Sequence, residues 1–170
     1  TTKGKQYLLD CGLYQGKGSD NYQLNSHLGL DPAKIDAVIL SHAHVDHSGL
    51  LPYLCKSGFN GKIYCTPPTL DLCKILLQDS AHIQENDIHY INKKREKKGE
   101  EPLKPLYNIK DAEHALKQFK TIPYHTKFRL CDEVELTFTD AGHILGSAVV
   151  NLTLFDDDKK LQLTFSGDVG

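Results

Sequence analysis

Within six residues, His42-Ala43-His44-Val45-Asp46-His47, the chain places three imidazoles and a carboxylate. These donors suit Zn²⁺ and similar divalent ions. Two imidazoles two residues apart can reach one ion, and Asp46 and His47, further along, can address a second beside it. A solvated loop capped by Asp46 would explain the carboxylate, but not three imidazoles directly after an apolar run. Three further positions matter through their placement. Asp10 follows an apolar run ending at Leu9, His143 sits in Ala141-Gly142-His143, and Asp168 sits in Ser166-Gly167-Asp168, each just past a predicted strand. Taken singly, the two aspartates are turn residues and His143 is a structural histidine. Taken together, four strands finish in a ligand-type residue, three of them with a glycine within two residues that lets backbone approach closely. If the strand ends lie side by side, the ligands converge on one rim. No Ser/His/Asp arrangement or phosphate-cradling Gly-rich loop competes for the chemistry.

The elements that must position these groups are legible as patterns. Tyr7 to Asp10 reads as a strand, broken by Gly12, Gly16 and Gly18. Ile35 to Ser41 is a near-continuous apolar run of strand length, suited to burial on both faces. His47 to Lys56 is expected to be helical and closed by Gly58, and Lys62 to Thr66 to be a short strand. Pro67-Pro68 opens a helix through about Gln78, and Ser80 to Lys98 is a second, polar helical stretch. Ala112, Ala115, Leu116 and Phe119 recur at helix spacing and predict a helix near Asp111 to Phe119. Beyond it the period changes to two. Val134-Leu136-Phe138, Val150-Leu152-Leu154 and Leu161-Leu163-Phe165 predict half-buried strands, the last two a hairpin turning at 156–160. Mixed strands and helices without an internal repeat indicate a layered α/β (α+β) fold.

Composition sets the outer bounds. The chain has 170 residues, 39% hydrophobic and 25% charged, as in ordinary globular proteins. Its net charge of −2 carries no basic bias toward nucleic acid. Cys11, Cys55, Cys65, Cys73 and Cys131 are an odd number with no CxxC pair, which argues against a disulfide framework and for a reducing cytoplasm. No apolar run approaches the roughly 20 residues of a membrane span. The absence of an initiator Met, a start almost within a strand and a stop just past another make the chain read as a fragment. The run Lys93-Lys94-Arg95-Glu96-Lys97-Lys98 reads as a solvated helix end rather than an RNA track. His27, His82, His89, His114 and His125 read as surface or capping residues.

The order Asp10, His42–His47, His143, Asp168 resembles the first four motifs of the metallo-β-lactamase superfamily. The words Leu9-Asp10-Cys11-Gly12-Leu13-Tyr14-Gln15-Gly16, Ser41 to Pro52, Thr66-Pro67-Pro68-Thr69, Gly142 to Ala148 and Phe165-Ser166-Gly167-Asp168 resemble its β-CASP branch of RNA- and DNA-processing nucleases. The resemblance implies a partial αββα sandwich of mixed sheets flanked by helices, with residues 1–170 as the N-terminal part of the domain. It implies that His42, His44 and His143 hold one zinc and Asp46 and His47 another, that Asp168 bridges the two, and that Asp10 orients the cluster. Mn²⁺ or Fe²⁺ would also suit these donors. The implied activity is cleavage of RNA, or DNA, by a water activated between two metals, with Asp46 as a proton acceptor; oligomeric state is left open, and no membrane partner is implied. The family places a further metal-ligand His and the β-CASP cap after the position of Asp168. Neither lies within 1–170, so the second site is expected to be incomplete and this portion inactive alone. Two other readings stand beside it: a thioester or lactam hydrolase of the same superfamily, and a non-catalytic scaffold. The long separation of His47 and His143 and the Gly142–Ala148 word favour the nucleases, and the full set of expected ligands disfavours the scaffold.

Overall fold

The computed structural model describes residues 4–16, 21–156 and 159–170. The expected break at Gly18 and the turn residues Asp157 and Asp158 lie outside them. Among the described residues, eight strands form two four-stranded sheets. The first holds β1 (Tyr7–Leu9), β2 (Ala37–Ile39), β3 (Lys62–Cys65) and β4 (Phe119–Thr121), all parallel in that order. The second is an antiparallel meander of β5 (Phe128–Cys131), β6 (Val134–Asp140), β7 (Ala148–Asp156) and β8 (Lys159–Phe165). Parallel strands need crossovers, and these carry α1 (Asn21–Ser26), α2 (Val45–Ser48), α3 (Leu51–Lys56), the 30-residue α4 (Pro67–Glu96) and α5 (Ile109–Leu116).

Two cores result. Val38, Leu40 and Ile63 of the first sheet bury against Leu51, Leu54, Cys73, Leu77 and Ala112 of the helices. Ile39 instead faces Val134, Leu136, Phe138, Val150 and Leu152 of the second sheet. Alternation along β2 therefore feeds both cores, which is why this stretch reads as continuously apolar. The layers run helices, first sheet, second sheet. Among the described residues no helix covers the outer face of the second sheet, where Thr137, Thr139, Asn151 and Thr164 line an open groove of about 300 Å³. Three layers of the expected αββα sandwich are thus present.

Several boundaries differ from expectation. The helix expected over His47–Lys56 divides into α2 and α3, because Leu50 N donates to the Cys11 carbonyl and Gly49 packs beneath Leu13. The stretches on either side of Asp79 form one helix, braced where the Ser80 hydroxyl meets the Tyr107 hydroxyl at 2.8 Å. Phe119 leaves the helical stripe to begin β4, since α5 stops at Leu116. Only Ala37–Ile39 of the 35–41 run joins the ladder. The hairpin of β7 and β8 forms, but β8 is not half-buried: Leu161 is 62% and Leu163 41% exposed, because β8 is the sheet's edge. All five cysteines are free, and among the described residues no helix is long and apolar enough to cross a membrane.

Candidate metal centre

The carboxyl ends of parallel strands are the usual place for a site in an open α/β sheet. Here Asp10 directly follows β1, and His42 lies three residues past β2. β6 and β8, both antiparallel to β7, end on one side at His143 and Asp168. The sheets are tied together at this rim: Ala148 N donates to the Ser41 carbonyl at 2.9 Å, and Gly167 lies so close to Ser41 that an added Cβ would meet its Oγ at 2.8 Å. Gly167 also has φ +58°, so both its freedom and its lack of a side chain are used.

His42 Nε2 lies 3.1 Å from His44 Nδ1, and His143 Nε2 lies 3.2 Å from the same atom. The three rings stand 4.9–5.2 Å apart, with interplanar angles of 74–87°. Asp168 joins them, with Oδ2 3.8 Å from His143 Nε2 and Oδ1 3.3 Å from His47 Nε2. Donors about 2.0–2.1 Å from a tetrahedral ion stand roughly 3.3 Å apart. The nitrogens of three near-perpendicular rings match that spacing, so this donor set fits a divalent metal. The potential ligand atoms of His42, His44, His143 and Asp168 all fall within 4.8 Å of one another.

Asp10 supports the cluster from below. Its carboxylate accepts from Ser41 N, Ser41 Oγ and His47 Nδ1, each at 2.7 Å. Asp10, His42 and His47 also cluster closely enough to suggest a metal triad, but a carboxylate already taking three hydrogen bonds has little capacity left. It fixes His47 with Nδ1 protonated and Nε2 facing Asp168. Because the Ser41 hydroxyl donates to Asp10, it can accept from His42 Nδ1, 3.0 Å away, which leaves His42 Nε2 bare toward His44. Burial raises the Asp10 carboxyl against the lowering effect of these hydrogen bonds. Burial, aided by His47 and His44, lowers His42 to about 4, so it is a neutral donor at physiological pH. Asp10 holds φ 58°, a conformation that aspartate tolerates better than most residues.

Of the residues read from the sequence, Asp46 is drawn in least. It is 54% exposed, its Oδ2 4.0 Å from His47 Nε2. Sequence reasoning missed the groups that hold the loops. The buried Ser147 hydroxyl accepts from His143 N and Ile144 N at 3.1 and 3.2 Å. Thr66 and Thr69 both donate to the Gly146 carbonyl, at 2.6 and 2.8 Å, and Tyr124 donates to the Ser147 carbonyl at 2.7 Å. The only sequence signal for Thr66, Thr69 and Ser147 was membership of the motif words around them, and Tyr124 had none.

A profile of the Metallo-beta-lactamase superfamily domain matches residues 2–160. The chain is 35% identical to the transcription termination factor FttA of Methanothermobacter thermautotrophicus over 98% of its own length and 24% of that protein's. It is 34% identical to the ribonuclease TTHA0252 of Thermus thermophilus, covering 98% and 33%, and 32% identical to Integrator complex subunit 11 of Danio rerio, covering 97% and 26%. The chain thus spans a quarter to a third of these relatives' length. Among solved structures, a B3 metallo-beta-lactamase with an active-site glutamic acid aligns with a TM-score of 0.56 at 14% identity, covering 98% of this chain and 53% of that one. FEZ-1 of Legionella gormanii gives 0.54 at 16%, covering 99% and 55%.

Proposed function

Because the chain belongs to the metallo-beta-lactamase superfamily, we propose that it carries most of a two-metal hydrolase site. We further propose that the full-length protein is a β-CASP nuclease cleaving RNA phosphodiester bonds. The observation that carries this is the meeting of His42, His44 and His143 nitrogens beside Asp168, at spacings a tetrahedral ion requires. The relatives named as a ribonuclease and a transcription termination factor support RNA as the substrate. The solved β-lactamases share the fold alone, at 14% and 16% identity, so a lactam or thioester substrate is the weaker reading.

In this reading His42, His44 and His143 would hold one ion, and His47, Asp46 and Asp168 would serve a second. Zinc suits the donors best, with Mn²⁺ or Fe²⁺ as substitutes. Such ions supply Lewis acidity toward a phosphoryl oxygen and lower the pKa of water toward about 7. The chain's own contributions are positional. Asp10 and Ser41 lock two histidines in the tautomer that presents bare nitrogens. Asp46, exposed beside the cluster, is placed to accept a proton from the attacking water. Five free thiols suit a reducing compartment such as the cytoplasm.

The test presents the full-length protein with a labelled RNA, nitrocefin and a glutathione thioester, and measures bound metal by elemental analysis. RNA cleavage with stoichiometric metal is expected. A His44→Ala variant should fold but lose at least about a hundredfold in cleavage, the upper end for loss of a mere supporting group. Turnover of only the lactam or thioester would overturn the substrate, and a protein that takes up no metal would overturn the site.

A further inference from the structure

α4 begins at the metal centre and ends far from it. Its first turn holds Gly146, three residues past His143, through Thr66 and Thr69. At 1.5 Å per residue, Lys93 to Lys97 lie about 40 Å along the axis from Thr69. This distal end is strongly basic in a chain of net charge −2: from His89 to Lys104, six cations face three carboxylates. One of the six is used internally, since Arg95 pairs with Glu100 at 2.9 Å and donates from Nε to the Glu101 carbonyl. Asn92 bonds Leu103 through both its side-chain donor and acceptor, at 2.8 Å each. The tip is therefore pinned into a platform. Lys93, Lys97 and Lys98 project from it, exposed and without an ion pair among the described residues. One turn back, Tyr90 is 62% exposed with the Lys94 ammonium 4.4 Å from its ring centroid.

Stability does not call for this arrangement. A cation in the last turn complements the helix dipole, but Lys93–Lys97 is a like-charge pair at i,i+4, which weakens a helix, and Lys98 adds a further charge just past the helix end. Point-charge ammonium groups on a rigid support, next to an exposed aromatic, suit a polyphosphate backbone with sequence-tolerant stacking.

We infer that the distal end of α4, which the sequence alone reads as a solvated helix end, is a second contact for single-stranded RNA, holding its phosphate backbone about 40 Å from the metal centre. The inference rests on the RNA reading above and extends it to substrate length. At about 3.4 Å per stacked nucleotide, a strand of roughly 12 nucleotides bridges the two places.

Binding is measured with the intact protein in EDTA, so that cleavage plays no part, using an RNA of about 30 nucleotides across a salt series. The variant Lys93→Gln/Lys97→Gln/Lys98→Gln loses three phosphate contacts, each worth about 0.7 in the slope of log K against log salt. The slope should fall by about 2, and affinity by about a hundredfold at 0.1 M salt, with the gap closing toward 1 M. The Tm should stay level or rise, which a merely structural patch would not show. Unchanged affinity and slope, or a wild-type protein that binds no RNA, would overturn the inference. Displacement of the RNA by poly-glutamate at equal charge concentration would also overturn it, by pointing to an acidic protein partner. RNA held through these lysines but never cut leaves this contact standing and removes the nuclease reading.

Discussion

Replacing Asp10 by asparagine changes one atom's chemistry with almost no change in shape. The wild-type carboxylate accepts a hydrogen bond from His47 Nδ1 at 2.7 Å and two more, from Ser41 N and Oγ. An asparagine oxygen can keep the Ser41 amide bond, but its NH₂ group then faces His47 Nδ1, and two donors cannot share that position. His47 must turn to its other tautomer and present Nε2–H to Asp168, where a bare nitrogen stood 3.3 Å away. A supporting group of this kind is worth about 10- to 100-fold in metal affinity, or roughly 1.4–2.7 kcal/mol. Loss of a charge-assisted hydrogen bond adds about 1.5–3 kcal/mol of destabilisation to the fold. Competition with a chromophoric chelator measures the affinity, and ¹⁵N shifts of His47 report the tautomer. Wild-type affinity in a variant that keeps Nδ1 protonated would refute the reasoning, because Asp10 would then be a structural turn residue only.

The metal-free protein should lose stability between pH 6.5 and 4. His42 binds its proton near 6.5 when unfolded but only near 4 when folded, so the unfolded state takes up more protons as pH falls through that window. The loss is on the order of 2–3 kcal/mol, read by guanidinium unfolding at pH 7 and pH 4.5, and a flat profile would contradict it. Gly12→Ala should cost more than about 3 kcal/mol or abolish metal uptake, because its Cβ would fall on the Asp46 carbonyl at 1.5 Å; thermal unfolding checks this, and a variant with wild-type Tm and metal content would show the loop to be free. Asp36→Asn should lower stability only slightly at pH 7, through the exposed Lys5 pair and the Gln6 amide bond, with chemical unfolding as the measurement. Lys5 and the Gln6 amide hold the Asp36 carboxyl below its usual range, so the difference should vanish as pH falls through and below that range; a gap that persists at pH 2 would exclude the charge as its cause.

What the sequence determined by itself was the donor inventory and the strand ends. Imidazoles and carboxylates placed just past apolar runs are local signals, since a buried strand must be apolar and its polar ligands must wait until it ends. Asp10, the His42–His47 group, His143 and Asp168 were legible for that reason, as were the period-two strands of the second sheet. The division of α2 from α3, the release of Phe119 into β4 and the exposure of β8 were not legible. Each depends on a partner distant in the chain: Cys11 receiving Leu50, a sheet edge receiving Phe119, a neighbour that β8 lacks among the described residues. The same holds within the site. Ser41, Ser147, Thr66 and Thr69 are ordinary polar residues in sequence, and only the packing of one sheet on the other turns their hydroxyls toward Asp10, His143 and Gly146. The asymmetry has a physical cause: a donor's identity is carried by its own side chain, whereas its orientation depends on hydrogen-bond networks that close through distant residues, Asp10 with Ser41 and His47 (31 and 37 positions apart) and Gly146 with Thr69 and Thr66 (77 and 80).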